Sequence, residues 1–205
     1  MKVAILGGTG GFGRALAERL QGLGEDVVIG SRDAERAREL ATVIGAHGAT
    51  NAEAAAGADL VVLSVLSAAA EPTARDLAEA IGKSPLLSVA SDLRFTENGV
   101  EPGRVHRSLA ESVAELVRGP VASGFQTLSA VNLAQQEPSD EDVLVCGEDP
   151  AKELALDIGG RLVAGRAIDA GPLANSRGLE GMTAVLLNVN RRYHAHAGLR
   201  ITGLP

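Results

Sequence analysis

Near its start the chain passes from a short aliphatic run straight into a glycine loop, and no other stretch constrains the fold as much. Val3-Ala4-Ile5-Leu6 reads as a buried strand, and Gly8-Thr9-Gly10-Gly11-Phe12-Gly13 fits the spacing G-x-G-x-x-G. Ala15, Leu16, Leu20 and Leu23 then recur at helical spacing. Strand, glycine loop and amphipathic helix, in that order, are the context this motif requires. The glycines permit a tight turn and let the backbone approach a pyrophosphate, whose charge the first amides of the helix neutralise. The competing reading is a glycine-rich strand–helix turn without a ligand.

Continuous apolar runs at 27–30, 60–65, 86–90 and 121–125 are the pattern of strands buried on both faces of a parallel sheet. Leu77, Ala78 and Ile81 recur at helical spacing, as do Leu109, Val113, Leu116 and Val117. This alternation predicts a doubly wound α/β fold. Glycine makes up 25 of 205 residues, aromatics are 2% and tryptophan is absent. Such a chain builds its core from small aliphatics, which suits helices packed closely on a sheet and leaves few stacking platforms for nucleobases. After residue 125 the pattern changes. An acidic, proline-bearing turn over 137–142 leads to a strand at 143–146, a helix from about Pro150 and a strand at 166–170. Gly171-Pro172 breaks the chain before a final helix at about 175–192, expected to bury Leu179, Met182, Val185, Leu186 and Val189 on one face. The expected division is a dinucleotide-binding part over 1–125 and a substrate-covering part over 126–205. Apolar Leu199, Ile201 and Leu204 mark 197–205 as an ordered tail.

The second strand ends Val28-Ile29-Gly30-Ser31-Arg32, with Arg36 one helical turn on. A fold that prefers NAD places a carboxylate at this tip to bond the ribose hydroxyls. A hydroxyl and a guanidinium stand there instead, and guanidinium attracts a 2′-phosphate through charge-assisted bonds. The tip therefore points to NADP(H). The alternative is that Arg32 and Arg36 form a solvated helix face among Asp33, Glu35 and Glu39; Asp33 itself is placed to cap the helix. Ser64-Val65-Leu66 ends the strand at the topological switch point, where the nicotinamide side of such clefts lies; the plain reading of Ser64 is a satisfied strand-end hydroxyl.

With 19 basic and 26 acidic residues the net charge is −7, which argues against nucleic acid as a general partner. No apolar run approaches the ~20 residues that span a bilayer, and no apolar leader precedes the first strand, so the expected location is cytoplasmic. HExxH, CxxC and GxSxG are absent. Cys146, the one cysteine, lies in an apolar run and reads as a core thiol. His194 and His196 suit the C-terminal end of a helix. No acid–base pair stands out, and hydride transfer between two bound cofactors requires none.

Several segments together resemble the NADPH-dependent reductases of the deazaflavin coenzyme F420. They are the opening 3–10, the Gly30-Ser31-Arg32 tip, Asp169-Ala170-Gly171-Pro172-Leu173 with Asn175-Ser176-Arg177, and the ending Asn190-Arg191-Arg192-Tyr193, Ala197-Gly198 and Ile201-Thr202-Gly203-Leu204-Pro205. The resemblance implies a Rossmann-type doubly wound parallel sheet with a small C-terminal α/β appendage, and reversible hydride transfer between nicotinamide C4 and deazaflavin C5. It places the NADP phosphate contacts on Thr9, Ser31, Arg32 and Arg36. Contacts to the second substrate are expected at Ser129, Ala130, Arg191 and Arg192, and a homodimer is expected. The deazaflavin carries a phosphate and a glutamate tail, so the arginines around the final helix, with Arg177 and Arg200, are a local basic source in an acidic chain; capping of the helix end explains Arg191 and Arg192 equally well. Three segments depart from the family pattern. Val65-Leu66-Ser67-Ala68 stands where a Pro-Trp pair is common, Ser88-Val89-Ala90-Ser91-Asp92 where Asn-Pro or Ser-Pro is usual, and Gln126-Thr127 where bacterial members carry two histidines. All three lie where the deazaflavin is expected. Rival readings are an NADPH-dependent reductase of a flavin, an imine or a ferric chelate, and a catalytically silent NADP(H) sensor.

Overall fold

The computed structural model describes residues 1–104 and 106–204. In chain order its elements are β1 (Lys2–Leu6), α1 (Gly11–Gly22), β2 (Asp26–Ser31), α2 (Ala34–Ile44), β3 (His47–Thr50), α3 (Asn51–Ala55) and β4 (Leu60–Leu63). There follow α4 (Ser67–Asp76), α5 (Ala78–Ile81), β5 (Leu86–Ser88), β6 (Leu93–Thr96), β7 (Gly99–Pro102), α6 (Leu109–Ala114) and β8 (Val121–Gly124). The chain ends with α7 (Ala130–Leu133), β9 (Val143–Gly147), α8 (Ala151–Leu162), β10 (Ala167–Asp169), a 3-10 turn (Leu173–Asn175) and α9 (Ser176–Tyr193).

Eight strands form one sheet in the order β10-β9-β8-β5-β4-β1-β2-β3. The six from β3 to β8 run parallel, whereas β8 and β9 pair antiparallel and β10 follows β9. Successive side chains of a strand point to opposite faces, and both faces here are covered. Val3, Ile5, Val27 and Ile29 pack against α1, α2 and α8, while Ala4, Leu6, Val61 and Leu63 pack against α3, α4 and α6. This double burial is why the central strands read as unbroken apolar runs. Connections from β1, β2, β4, β5 and β8 all emerge at one edge of the sheet, where ligands of open α/β sheets bind.

Several expectations need correction. The strands at 60–65 and 86–90 stop at Leu63 and Ser88, so Ser64-Val65-Leu66 is the connection to α4 and not strand. The strands after residue 125 do not form a sheet of their own; they extend the main one, reversed. β3 lies in a polar stretch without a strand period, and pairing with β2 makes it a strand, whereas the β6–β7 hairpin carries the alternation Leu93-Arg94-Phe95-Thr96 and an Asn98-Gly99 turn. The buried face of α9 carries Ser176, Leu179, Glu180 and Ala184, while Val185 is 61% exposed. The expected apolar stripe is partial, with Leu179 buried and Met182, Leu186 and Val189 half-buried, and hydrogen bonds to α6 complete the anchoring. Ser176 Oγ meets Ser108 Oγ at 2.6 Å, and the buried Glu180 carboxylate accepts the Leu109 and Ala110 N–H groups at 2.9 and 3.2 Å.

Within the tail, Leu204 stays exposed and Ile201 is half-buried; Pro205 lies outside the described residues. The tail is tied to its own chain. Asp142 N–H donates to Leu199 O, the Asp142 carboxylate accepts the Ile201 N–H at 2.8 Å, and Asn132 donates to His196 O.

Candidate functional site

The site starts at the end of β1. Gly7, at φ +76°, donates its N–H to Gly30 O at 3.1 Å, and Gly10 donates to Gly7 O at 3.0 Å. These bonds curl the loop back over β2. The glycines then divide by what surrounds them. A side chain on Gly7 would meet Ser64 O at 2.5 Å, and one on Gly13 would meet Gly8 Cα at 2.9 Å. Gly7 and Gly13 are therefore required by packing against the loop and the β4–α4 connection. At Gly10 the nearest atom to an added Cβ is Gly7 O at 3.3 Å, and at Gly11 nothing lies within 4 Å. Gly11 faces open space, and Gly10 is crowded by that one carbonyl alone. Gly10 is the N-cap of α1 and offers no capping side chain, and the first helix amide to find a carbonyl is Arg14, on Gly10 O at 2.8 Å. The N–H groups of Gly11, Phe12 and Gly13 thus form an uncapped helix start beside open space, the arrangement that takes an anion. Thr9 lies half-buried within the loop.

At the β2 tip Ser31 is buried, and its Oγ accepts the Asp33 N–H at 3.2 Å. Asp33 is the N-cap of α2, accepting from Glu35 and Arg36 N–H at 3.1 and 3.2 Å. Its carboxylate is spent on the helix. Arg32 and Arg36 are exposed, and neither forms an ion pair among the described residues, although other arginines such as Arg104, Arg166 and Arg177 do. Both are therefore free to meet a ligand phosphate and equally suited to a solvated helix face.

Ser64 and Val65 press on the glycine loop, since Gly7 would meet both and Gly13 would meet Ser64 Oγ at 3.0 Å. Leu66, 84% exposed, precedes α4. Further along the same edge the chain leaves β8 through Phe125, a buried residue at φ +72°. A left-handed bulky residue carries strain on the order of 1–3 kcal/mol, a cost met mainly at functional sites. The turn sends Gln126 back under the sheet edge, where its Nε2 donates to Ser123 Oγ at 2.6 Å and Ser88 O at 3.3 Å. Thr183 of α9 donates to Gln126 O at 3.2 Å and meets Ser91 Oγ at 2.9 Å. Ser88 Oγ and Gln126 Oε1 are buried without a partner among the described residues. Ser129 is the N-cap of α7, with its Oγ accepting the Val131 N–H at 3.2 Å. Ala130 lines an open groove of about 450 Å³ together with Gly11 and Arg14, so of the expected pair Ser129-Ala130 it is Ala130 that shares a groove with the start of α1.

The basic source is smaller than expected. Arg177 is held bidentately by Glu111, whose carboxyl this guanidinium keeps down at about 2, and Arg200 pairs with Asp140. Arg191 and Arg192 are exposed and free of ion pairs among the described residues. They do not act as a unit, because successive side chains on a helix point about 100° apart. Counting from Thr183, Arg192 falls on the opposite side of α9. Cys146 is fully buried, and burial pushes its thiol up to about 12, a core thiol and not a nucleophile.

A family model described as NADP oxidoreductase, coenzyme F420-dependent, matches residues 2–92. The whole chain is 36% identical, over 223 aligned residues, to the F420-dependent NADP reductase of Methanothermobacter thermautotrophicus, with 100% of this chain and 96% of that one covered. The F420-dependent NADP reductase of Methanocaldococcus jannaschii is also 36% identical, over 226 residues, with 100% and 99% covered. The chain belongs to the F420-dependent NADP reductases. The solved structure of a candidate F420-dependent NADP-reductase from Arthrobacter sp. FB24 superposes with a TM-score of 0.88 at 27% identity, covering 99% of this chain and 100% of that one.

As a member of the F420-dependent NADP reductases, the chain shows what its departures do locally. Gln126 and Thr127 are buried; the Gln126 side-chain amide ties β5 to β8, and its backbone carbonyl accepts from Thr183 of α9. The specific-looking segment 169–177 builds the entry to α9: Asp169 accepts the Gly171 N–H, Asn175 donates to Ala170 O and Ser176 donates to Leu173 O. One residue at the site carries no motif signal. Asn51 accepts the Gly7 N–H at 3.3 Å across 44 residues of chain, a contact legible only once β3 is placed beside β2.

Proposed function

We infer that the chain transfers a hydride between NADP(H) and coenzyme F420. The observation that carries this reading is the match along the full length to reductases of that activity. NADP fits the residues present. The exposed glycines Gly10 and Gly11, three uncapped amides and two unpaired arginines suit a pyrophosphate and a 2′-phosphate. We assign the pyrophosphate to Gly8, Thr9, Gly10, Gly11, Phe12 and Gly13, the 2′-phosphate to Ser31, Arg32 and Arg36, and the nicotinamide side to Ser64, Val65 and Leu66. When bound, the nicotinamide supplies the hydride chemistry. The chain's own task is to align and shield. Loop amides fix the central pyrophosphate, Arg32 and Arg36 fix the adenosine end, and exposed Leu66 offers an apolar wall near the reacting ring. We place the deazaflavin along the edge lined by Ser129, Ala130 and α9, with Arg191 and Arg192, on different sides of the helix end, acting as separate charges that attract its acidic tail and not as one clamp. Residues 1–125 thus carry the nucleotide, and 126–205 supply the cover.

Adding NADPH to oxidised F420 and the purified protein should bleach the visible deazaflavin absorbance; nucleotide binding without turnover would instead favour the silent sensor. In the same assay Arg191→Ala/Arg192→Ala should raise the F420 KM and leave NADPH affinity within about twofold, because surface charges act on a polyanion chiefly through local attraction. An unchanged KM returns both residues to helix capping. Arg32→Ala should weaken NADPH by roughly ten- to a hundredfold while sparing NADH, the scale of a lost charge-assisted phosphate contact. Equal wild-type affinities for the two nucleotides would remove the basis of this assignment.

The chain is proposed to work in the cytoplasm as a homodimer, without nucleic-acid partners. No helix among the described residues is long and apolar enough to cross a membrane. The exposed side chains of Phe95, Val185 and Tyr193 offer apolar surface to a second copy, and light scattering that returns the mass of one chain at working concentration would reject the dimer.

A further inference from the structure

Asn51 is the first residue of α3, and its place is set with unusual definition for an exposed turn. Thr50 accepts the Glu53 N–H at 3.2 Å, and Glu53 Oε2 accepts the Thr50 N–H at 2.9 Å, a reciprocal capping box. The register of β2 against β3 aligns Gly30 with Ala49 and Ser31 with Thr50, so Asn51 projects just past the β2 tip. Its Oδ1 accepts the Gly7 N–H at 3.3 Å and lies 2.8 Å from where a Cβ on Gly30 would be. One side chain therefore touches both halves of the nucleotide site, the glycine loop and the residue before Ser31-Arg32. With Oδ1 accepting from Gly7, the amide Nδ2 has no hydrogen-bond partner among the described residues, on a half-buried side chain whose backbone stands one residue past the Ser31–Thr50 pair.

We propose that Asn51 is a positioning and specificity-determining residue for the nucleotide: Oδ1 holds the glycine loop through Gly7, and Nδ2 presents a neutral donor beside the 2′-phosphate site. The inference rests on the reading that NADP(H) occupies this loop. A donor at this place favours the phosphate-bearing nucleotide, whereas a carboxylate there would repel the phosphate and accept from bare ribose hydroxyls. Asn51 would thus do by its amide end what the absence of an acidic residue does at the tip itself.

Asn51→Asp keeps the volume and the acceptor for Gly7 while replacing the donor with an anion. NADPH and NADH titrations of this variant should show the NADPH Kd raised about thirtyfold, the scale of losing a bond to a charged group, and the NADH Kd within about threefold of the wild type. Thermal melting run alongside reports whether the fold survives. If Asn51→Asp does not fold, Asn51→Ala, which removes the donor without adding charge, should still lower the preference for NADPH over NADH by about threefold or more. Equal losses for the two nucleotides, or no loss, would overturn the specificity role. A wild-type protein that binds neither nucleotide would instead refute the NADP reading itself, so the two failures are distinguishable.

Discussion

Gly10→Val should abolish NADPH binding, raising Kd by more than about a hundredfold, while the chain remains folded. The second glycine of such a loop lets the backbone approach the pyrophosphate, and a branched side chain occupies that approach. The structure accounts for both halves of the expectation. Gly10 has an extended backbone, φ −75° and ψ 162°, which valine adopts without strain, and an added Cβ meets one atom closely, the Gly7 carbonyl oxygen at 3.3 Å, a contact relieved by a shift of the loop of a few tenths of an ångström. The stability cost is that of a poor N-cap residue, about 1 kcal/mol. Gly13→Val provides the contrast. Its Cβ would lie 2.9 Å from Gly8 Cα, so that variant should lose stability and not merely affinity. Isothermal titration with melting curves on the two variants separates the cases. If Gly10→Val binds NADPH as the wild type does, the loop is only a structural turn.

The largest expected effect on stability lies at Asp142. Its carboxylate is fully buried and accepts from Arg166 Nη2 and from Arg166 N–H, each at 2.9 Å, and from Ile201 N–H at 2.8 Å. The Arg166 guanidinium holds the Asp142 carboxyl well below the usual carboxylate range, against the opposing effect of burial, with the two backbone N–H groups assisting. Asp142→Asn leaves those donors facing an amide and should cost about 3 kcal/mol, the low end for breaking a buried pair because Arg166 itself is partly solvated. In a domain of this size that lowers Tm by roughly 6–12 °C. The sign with pH follows from the depressed folded value. The contribution is complete above the ordinary carboxylate pKa of about 4 and is lost as pH falls through the lower folded value. Wild-type Tm should therefore fall below about pH 4 more steeply than that of Asp142→Asn. Parallel Tm profiles for the two proteins would show that Asp142 contributes nothing through its charge.

The glycine loop, the carboxylate-free tip and the double burial of the central strands were all readable along the chain, because each depends on contacts between near neighbours. A tight turn needs glycine at fixed offsets, a helix start needs its cap within three residues, and a strand buried on both faces needs apolar residues in succession. The roles within those motifs were not readable. Gly10 and Gly13 look alike in sequence, but the surroundings that leave one open to a ligand and seat the other against Gly8 and Ser64 come from β4 and the folded-back loop. The basic source at α9 shows the same limit: Arg177 and Arg200 are consumed by Glu111 and Asp140, 66 and 60 residues away. Charge content is a property of the sequence, whereas a free charge is a property of the packing. The sequence by itself determined that this chain folds as a doubly wound sheet with a glycine loop after its first strand and a carboxylate-free tip on its second. The tertiary structure alone decided that the later strands reverse into the same sheet, that Gln126 is a buried tie, and that Asn51 bridges the loop and the tip. Those features arise from strand pairings and side-chain contacts between residues dozens of positions apart, and no local period or spacing encodes them.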